Sequence, residues 1–356
     1  MKSVAGKEMA APSDDPALRF IRLELAPSRE RWIAALGFAG LAAIGVLATV
    51  TFRLPFPVLV FAGILLLTVP PPRRSVRQAV ETTGAAALGA GVAILLAVTS
   101  YDQPWLYLPL QCVALTALLA LSRVTTVRAG FILSALVVSF AEPAYLRDPE
   151  AAIRAALVNA LALAGTAWAV AAAQSWHEQT AIPAESPAPP GAREVVGFAL
   201  LAATAIGLQM LFYNTINLLE IRTGVFAALL TADPDLREVW RRMPLRQLCA
   251  AGCAALALLM IAVGAPVMDD LGLFATIAAG CYLAAGWVAH GGPRIAYACV
   301  PGAVTVTLAL LPDFRFMTDI VPSLLNVAGV LWGMFVTATI AVFLAPLLEP
   351  EAELRP

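Results

Sequence analysis

From residue 32 onward, apolar residues fall in long runs separated by short charged or proline-rich breaks. Crossing ~30 Å of hydrocarbon as a helix takes about 20 residues, and the runs approach that length repeatedly. They predict about twelve spans, near 32–51, 55–70, 78–99, 104–121, 129–143, 152–174, 195–213, 216–232, 247–265, 271–289, 295–312 and 322–346. Several are short. The second and fifth need local thinning of the bilayer, a re-entrant path or shielding by neighbouring helices. The expected fold class is an all-α polytopic membrane protein.

Composition agrees with the pattern. Hydrophobic residues make up 60% of the chain and charged residues 13%, against roughly a quarter charged in ordinary globular domains. A water-soluble protein cannot cover so much apolar surface with so little charge. Residues 1–30 alternate charged and apolar side chains and lack the apolar core of a secretory signal peptide, so the first span is expected to act as an uncleaved insertion signal. Within that tail, "PALRFIRLELAPSRERW" suits an amphipathic helix lying on the membrane surface. Cys112, Cys249, Cys253, Cys281 and Cys299 all fall inside predicted spans and read as small, reduced, apolar residues without disulfides.

Cytoplasmic loops are enriched in positive charge. With the N-terminus inside, 18 of the 23 Lys and Arg residues fall on inner segments, and only Arg53, Arg147, Arg154, Arg222 and Arg315 on outer ones. That asymmetry supports an even number of spans with both termini in the cytoplasm. "HEQTAIPAESPAPPGARE" (177–194) reads as a cytoplasmic linker. It divides the chain into a tail (1–31), a six-helix half (32–176), the linker, a second six-helix half (195–346) and a C-terminal tail (347–356). The halves look related: "VRQAVETTGAAALG" (76–89) lines up with "LRQLCAAGCAALAL" (245–258), Asp102 with Asp270, and Asn159 with Asn326. Six spans per half make the repeats parallel, related by an axis along the membrane normal.

In "TVPPPRRSVRQAVETTGAAALGAGVAILL" (68–96), Pro70 to Pro72 end the second span, Arg73, Arg74 and Arg77 mark the cytoplasmic face, and the third span follows. Arg77 and Glu81 are four residues apart and close enough to pair. Ala85 with Gly89, and Ala87 with Gly91, give small-residue spacings that let another helix approach closely. This stretch, taken from residue 54, resembles the fusaric-acid-resistance and aromatic acid exporter superfamily: a short second span with an aromatic and proline entry, an arginine-bearing loop and a glycine-containing third span. The order of six spans, linker and six spans is similar too, as are Asn159 and Asn326 in late spans of each half. The resemblance implies a bacterial inner-membrane exporter of small, often aromatic, organic acids that uses the proton gradient and a periplasmic membrane-fusion adaptor. Many members carry sizeable cytoplasmic domains after each half, where this sequence has the short linker and "EPEAELRP"; it is most similar to the compact, membrane-only branch.

Other chemistries find little footing. A phosphate loop needs a lysine on the phosphates, and the only lysines are Lys2 and Lys7 in the tail. His177 and His290 show no zinc-ligand spacing, and no G-x-S-x-G elbow occurs. No enzymatic activity, metal, cofactor or nucleic-acid partner is expected. Ionisable and amide groups within spans are costly in lipid and usually face a cavity, which makes them the transport-path candidates. Glu81 is either a proton-accepting carboxylate that switches its pairing with Arg77 or half of a fixed ion pair. Asn217, Glu220 and Arg222, in "YNTINLLEIRTG" (213–224), either meet an organic carboxylate near the outer mouth or form a solvated loop. Asn159 and Asn326, and more weakly Gln78, Gln111, Gln209 and Gln247, are path residues or interhelical hydrogen-bond glue. Arg73, Arg74, Arg241, Arg242 and Arg246 either only set orientation or also form a cytoplasmic vestibule that gathers anions. An organic-anion channel and a non-transporting scaffold of an export assembly are the alternatives to an exporter. Hydropathy leaves a homo-oligomer open, because lipid and helix partners look alike to an apolar side chain.

Overall fold

A computed structural model of the chain describes residues 24–52, 54, 57–68, 75–125, 128–145, 148–175, 191–216, 223–233, 235–264, 271–310 and 320–348. From Arg29 onward these residues form twelve α-helices. They are α1 (Arg29–Phe52), α2 (Pro57–Thr68), α3 (Ser75–Thr99), α4 (Tyr107–Val124), α5 (Arg128–Tyr145), α6 (Pro149–Ser175), α7 (Ala192–Ile216), α8 (Thr223–Thr231), α9 (Leu236–Gly264), α10 (Leu271–Ala289), α11 (Pro293–Leu310) and α12 (Val321–Leu348). A turn of 3-10 helix, Pro104–Leu106, leads into α4. The described residues contain no strand. Eight helices are long and apolar enough to cross a membrane: α1, α3, α4 with its 3-10 turn, α6, α7, α9, α10 and α12. The chain is an all-α polytopic membrane protein. The surface helix expected in the tail and most of the linker lie outside the described residues; the last linker residues, from Ala192, already belong to α7.

Burial separates the remaining helices from these eight. In α8 every residue except Leu230 is buried, and α5 and α11 carry continuous buried runs over 132–141 and 301–310. In α2, Leu59, Val60, Phe61, Ala62, Ile64 and Leu67 are buried. A helix that is apolar and buried all round belongs to the interior of a bundle, so the short helices form the inner layer and the long ones enclose them. Shortness was expected for the second and fifth helices. The eighth and eleventh join them: of the run expected over 216–232, Ile216 belongs to the end of α7 and Thr223–Thr231 form α8 among the described residues.

The packing pairs recur along the chain. Helix α3 packs on α5 and α6 as α9 packs on α11 and α12; α2 packs on α6 and α5 as α8 packs on α12 and α11. Helix α1 packs on α10 as α4 packs on α7, and α2 meets α11 as α8 meets α5. An aromatic set ties three of these helices together: Phe61 of α2 stacks on Tyr282 of α10 at 5.1 Å, and the Tyr282 hydroxyl hydrogen-bonds with Thr307 of α11 at 2.8 Å.

Small residues set how closely the helices cross. At Gly89 of α3 an added Cβ would come within 2.8 Å of the Ser134 Cα on α5, and the Ser134 hydroxyl donates to the Ala85 carbonyl. The Ala85 and Gly89 spacing is therefore used. The Ala87 and Gly91 spacing is not: both residues are exposed, and nothing lies within 4 Å of a Cβ at Gly91. At Gly302 of α11 a Cβ would lie 2.8 Å from the Cys253 sulfur on α9. The tightest crossing joins α8 to α12, where a Cβ on Gly333 would fall on the Gly224 backbone and one on Gly224 would lie 2.8 Å from the Gly329 carbonyl oxygen.

The segment 233–246, expected as an inner loop, is helical from Leu236. Asp235 supplies the start signal, its carboxylate accepting from the backbone N–H groups of Arg237 and Glu238 at 3.0 and 3.2 Å. Pro244 lies within the helix. It removes one backbone hydrogen bond without ending α9, which continues to Gly264.

Replacing Gly333 with Ala should force α8 and α12 apart and cost more than about 2 kcal/mol, as overpacking does. Gly252→Ala on α9, where nothing lies within 4 Å, should be neutral or slightly stabilising. Thermal unfolding of the two variants in detergent checks the contrast.

Candidate functional site

A helix of nine residues spans ~14 Å and leaves N–H groups at one end and C=O groups at the other without intrahelical partners. Helix α8, nine residues long among the described residues, is enclosed by α7, α11 and α12 and touched by α5. Its ends show what the surrounding side chains are for.

At the C-terminal end the Arg246 guanidinium of α9, 4% exposed, donates to the Thr231 carbonyl at 2.5 Å. A cation there also matches the negative end of the helix dipole. Arg246 thus lies inside the bundle, whereas Arg241 and Arg242 lie nearer the start of α9 and pair with acids of the same region. Arg242 meets Glu238 at 2.7 Å and Asp233 at 3.5 Å, and Arg241 meets Glu238 at 3.2 Å. Arg73 and Arg74 lie outside the described residues.

At the N-terminal end the Thr223 hydroxyl donates to the Asn326 backbone carbonyl at 2.7 Å, tying the start of α8 to α12. The Asn326 side chain is committed elsewhere: its amide donates to the Leu308 carbonyl at 3.2 Å, and Ser323 donates to Ala309 at 2.7 Å. Together they satisfy carbonyls in the last turn of α11. Gln209 of α7 is different. It is 1% exposed, neither its amide oxygen nor its amide nitrogen has a hydrogen-bond partner, and a Cβ on Gly224 would lie 2.7 Å from its Oε1.

The first half of the chain has buried amides of its own. Gln111 of α4 donates to the Val138 carbonyl of α5 at 3.0 Å. Asn159 of α6 is 1% exposed with an unpaired amide nitrogen. Glu81 pairs with Arg77 at 2.5 Å at the start of α3, with both side chains partly exposed, so the two share an open end of the bundle rather than its interior. Asn217, Glu220 and Arg222 lie outside the described residues.

Sequence reasoning passed over two features. Arg31, 6% exposed, donates to the Trp287 carbonyl in the last turn of α10 at 2.7 Å through Nε and lies 4.5 Å over the Trp287 ring. In the sequence it reads as an inner charge and as part of the surface helix of the tail, one residue before the first expected span, and nothing there marks it as buried. Thr223, the anchor of α8, carried no signal beyond the Thr-Gly pair. Burial holds the His290 imidazole below its usual range, so the ring is neutral near pH 7 and its Nδ1–H donates to the Gly286 carbonyl at 2.8 Å. The described residues contain no cluster of side chains able to hold a metal ion.

Over 164 residues, 46% of its length, the chain is 27% identical to the multidrug resistance protein MdtO of Shigella flexneri. Over 146 residues, 41% of its length, it is 29% identical to the protein of that name from Escherichia coli strain K12. The matched stretches are 24% and 21% of those relatives, so the chain spans a quarter or less of their length. No protein-family model and no solved structure matches the chain.

Arg246→Met should leave the end of α8 without its donor and cost about 1–3 kcal/mol, the penalty of an unsatisfied buried carbonyl. Arg241→Ala, which loses only an exposed pair, should change stability by under about 1 kcal/mol. Chemical or thermal unfolding in detergent reads the difference.

Proposed function

We propose that the chain is an efflux transporter of the bacterial inner membrane that exports small organic acids, aromatic ones among them, or amphiphilic toxic compounds. The observation that carries this reading is the enclosure of the short helices α2 and α8 by the long ones. Helices that stop inside a bundle leave polar ends near the midplane, which is how many transporters build their binding sites. The partial similarity to multidrug resistance proteins supports efflux over other membrane roles, and so does the resemblance to the fusaric-acid-resistance and aromatic acid exporter superfamily.

In this reading the chain makes about twelve passes in two parallel six-helix repeats, with both termini in the cytoplasm. Support comes from the packing pairs, each of which has a counterpart six helices further on. It comes also from the α3–α5 and α9–α11 crossings, whose contact residues lie the same 168 positions apart, 85 to 253 and 134 to 302. The α1–α10 and α4–α7 contacts each carry an arginine over an aromatic ring, Arg31 over Trp287 and Arg123 over Phe198.

Proton entry drives export, with Glu81 or Glu220 as the titrating carboxylate, and a periplasmic adaptor receives the substrate. Arg222 with Asn217 meets the acid near the outer mouth, while Arg73, Arg74, Arg241 and Arg242 gather anions at the inner one. Asn159 and Asn326 flank the path in equivalent helices.

Everted vesicles carrying the protein should accumulate labelled aromatic acids only when a proton gradient is imposed. Glu81→Gln or Glu220→Gln should abolish that gradient-driven accumulation. Because the Arg77–Glu81 pair is exposed, Glu81→Gln should shift stability by no more than about 0.5 kcal/mol, so that lost transport is not lost folding. Currents linear in voltage without a gradient would make the protein a channel, and vesicles inert even with an adaptor would make it a scaffold.

A further inference from the structure

Cys249 and Cys253 lie four residues apart in the middle of α9, and both turn toward α11. A Cβ placed on Gly302 would lie 2.8 Å from the Cys253 sulfur and 3.2 Å from that of Cys249, so the two sulfurs converge on one point of the α9–α11 crossing. The thiols are close enough to hydrogen-bond to each other. Both residues are half-buried, whereas Ala250 and Ala254 beside them are buried. Gly252, on the flank of the pair, has nothing within 4 Å of a Cβ. One side of the pair therefore rests on α11, and the other is open.

Packing alone does not call for sulfur at this crossing. The equivalent crossing of α3 with α5 uses Ala85 where α9 has Cys253, and Ser134 where α11 has Gly302. Cysteine differs from other small apolar residues in its reactivity, and here two of them face a glycine that makes room for both sulfurs. Oxidation to a disulfide is not the chemistry the helix favours. That bond needs Cβ atoms ~3.5–4.5 Å apart, whereas four residues along a helix they are ~5–6 Å apart. The unbroken helix therefore holds the pair as a dithiol, with the sulfurs near each other and one side open to a reagent.

We propose that Cys249 and Cys253 form a binding site for neutral trivalent arsenicals of the class R–As=O, with R an apolar group. The site goes beyond the exporter reading and does not depend on it. Two S–H bonds and the As=O bond break, two As–S bonds form, and both protons leave on the oxygen as water; arsenic stays trivalent. Two features of the pair select this class. The bonds of trivalent arsenic to sulfur meet at little more than a right angle, which suits sulfurs within hydrogen-bond reach of each other better than a linear two-coordinate ion does. Thiols, arsenical and product are also all uncharged, whereas a metal ion needs thiolates, and charge is costly inside a membrane. The open flank at Gly252 leaves the R group free to lie along the apolar face of the bundle.

The test uses the full chain, reduced and purified in nanodiscs, with phenylarsine oxide as the probe and intact-mass spectrometry as the readout. Wild-type protein should keep one phenylarsine adduct in excess mercaptoethanol and lose it to ethanedithiol, the mark of a two-sulfur bond. Maleimide labelling followed by peptide mapping should then find Cys249 and Cys253 protected and Cys112 and Cys281 unchanged. Cys249→Ser and Cys253→Ser, which keep the side-chain volume, should each cut retention in mercaptoethanol by about ten-fold or more, because the second sulfur no longer acts at high effective concentration. Cys112→Ser should retain the adduct. No adduct on wild-type protein in mercaptoethanol would overturn the proposal, and so would full retention in both serine variants or loss of the adduct in Cys281→Ser. If a serine variant does not fold, the wild-type protection map decides alone: protection of any pair other than Cys249 and Cys253 would overturn the site.

Discussion

A backbone in lipid has no water to satisfy its N–H and C=O groups, and this constraint orders the whole chain. Long helices meet it by themselves over most of their length. A short helix meets it only when enclosed, and its two ends then need partners from neighbouring elements. The Arg246 guanidinium at the end of α8, Ser323 and Asn326 at the end of α11, and Arg31 at the end of α10 are such partners. Each is a polar side chain on an apolar helix, placed where the next helix runs out of internal hydrogen bonds.

Enclosure demands close approach, and close approach demands small side chains where backbones cross. Gly224, Gly329 and Gly333 bring α8 against α12, Gly89 and Ser134 bring α3 against α5, and Gly302 brings α11 against two cysteines of α9. Hydrophobic burial contributes little between helices already in lipid, so packing of this kind is the main cohesive term. On the proposed reading the same close packing encloses α2 and α8 around the transport path.

Most of the helical layout was readable in the sequence, because apolar runs longer than a few turns have one low-energy form in lipid. Each expected run overlaps a helix, the run over 216–232 taking in the last residue of α7 as well as α8, and the run over 271–289 coincides with α10. What encloses α8 and α11 was not readable: hydropathy registers apolarity and is blind to whether lipid or protein supplies it. The helical start of α9 was hidden by its charges, though Asp235 is a capping residue by type. Buried amides were visible as candidates, but sequence gave no means of ranking them. Gln111 and Asn326 are bonded to carbonyls, and Gln209 is not; that distinction depends on side chains of helices far apart in the chain.

The claim beneath all of this is that α8 is a fixed interior element although only nine of its described residues are helical, a length at which an isolated helix does not persist. Amide hydrogen exchange of the wild-type protein in nanodiscs tests it most directly. The account predicts that amides 227–231 exchange as slowly as those in the middle of α7 and α12, which enclose them. Exchange of 227–231 within seconds, alongside protected α7 and α12, would contradict it, because α8 would then be neither enclosed nor anchored at its ends.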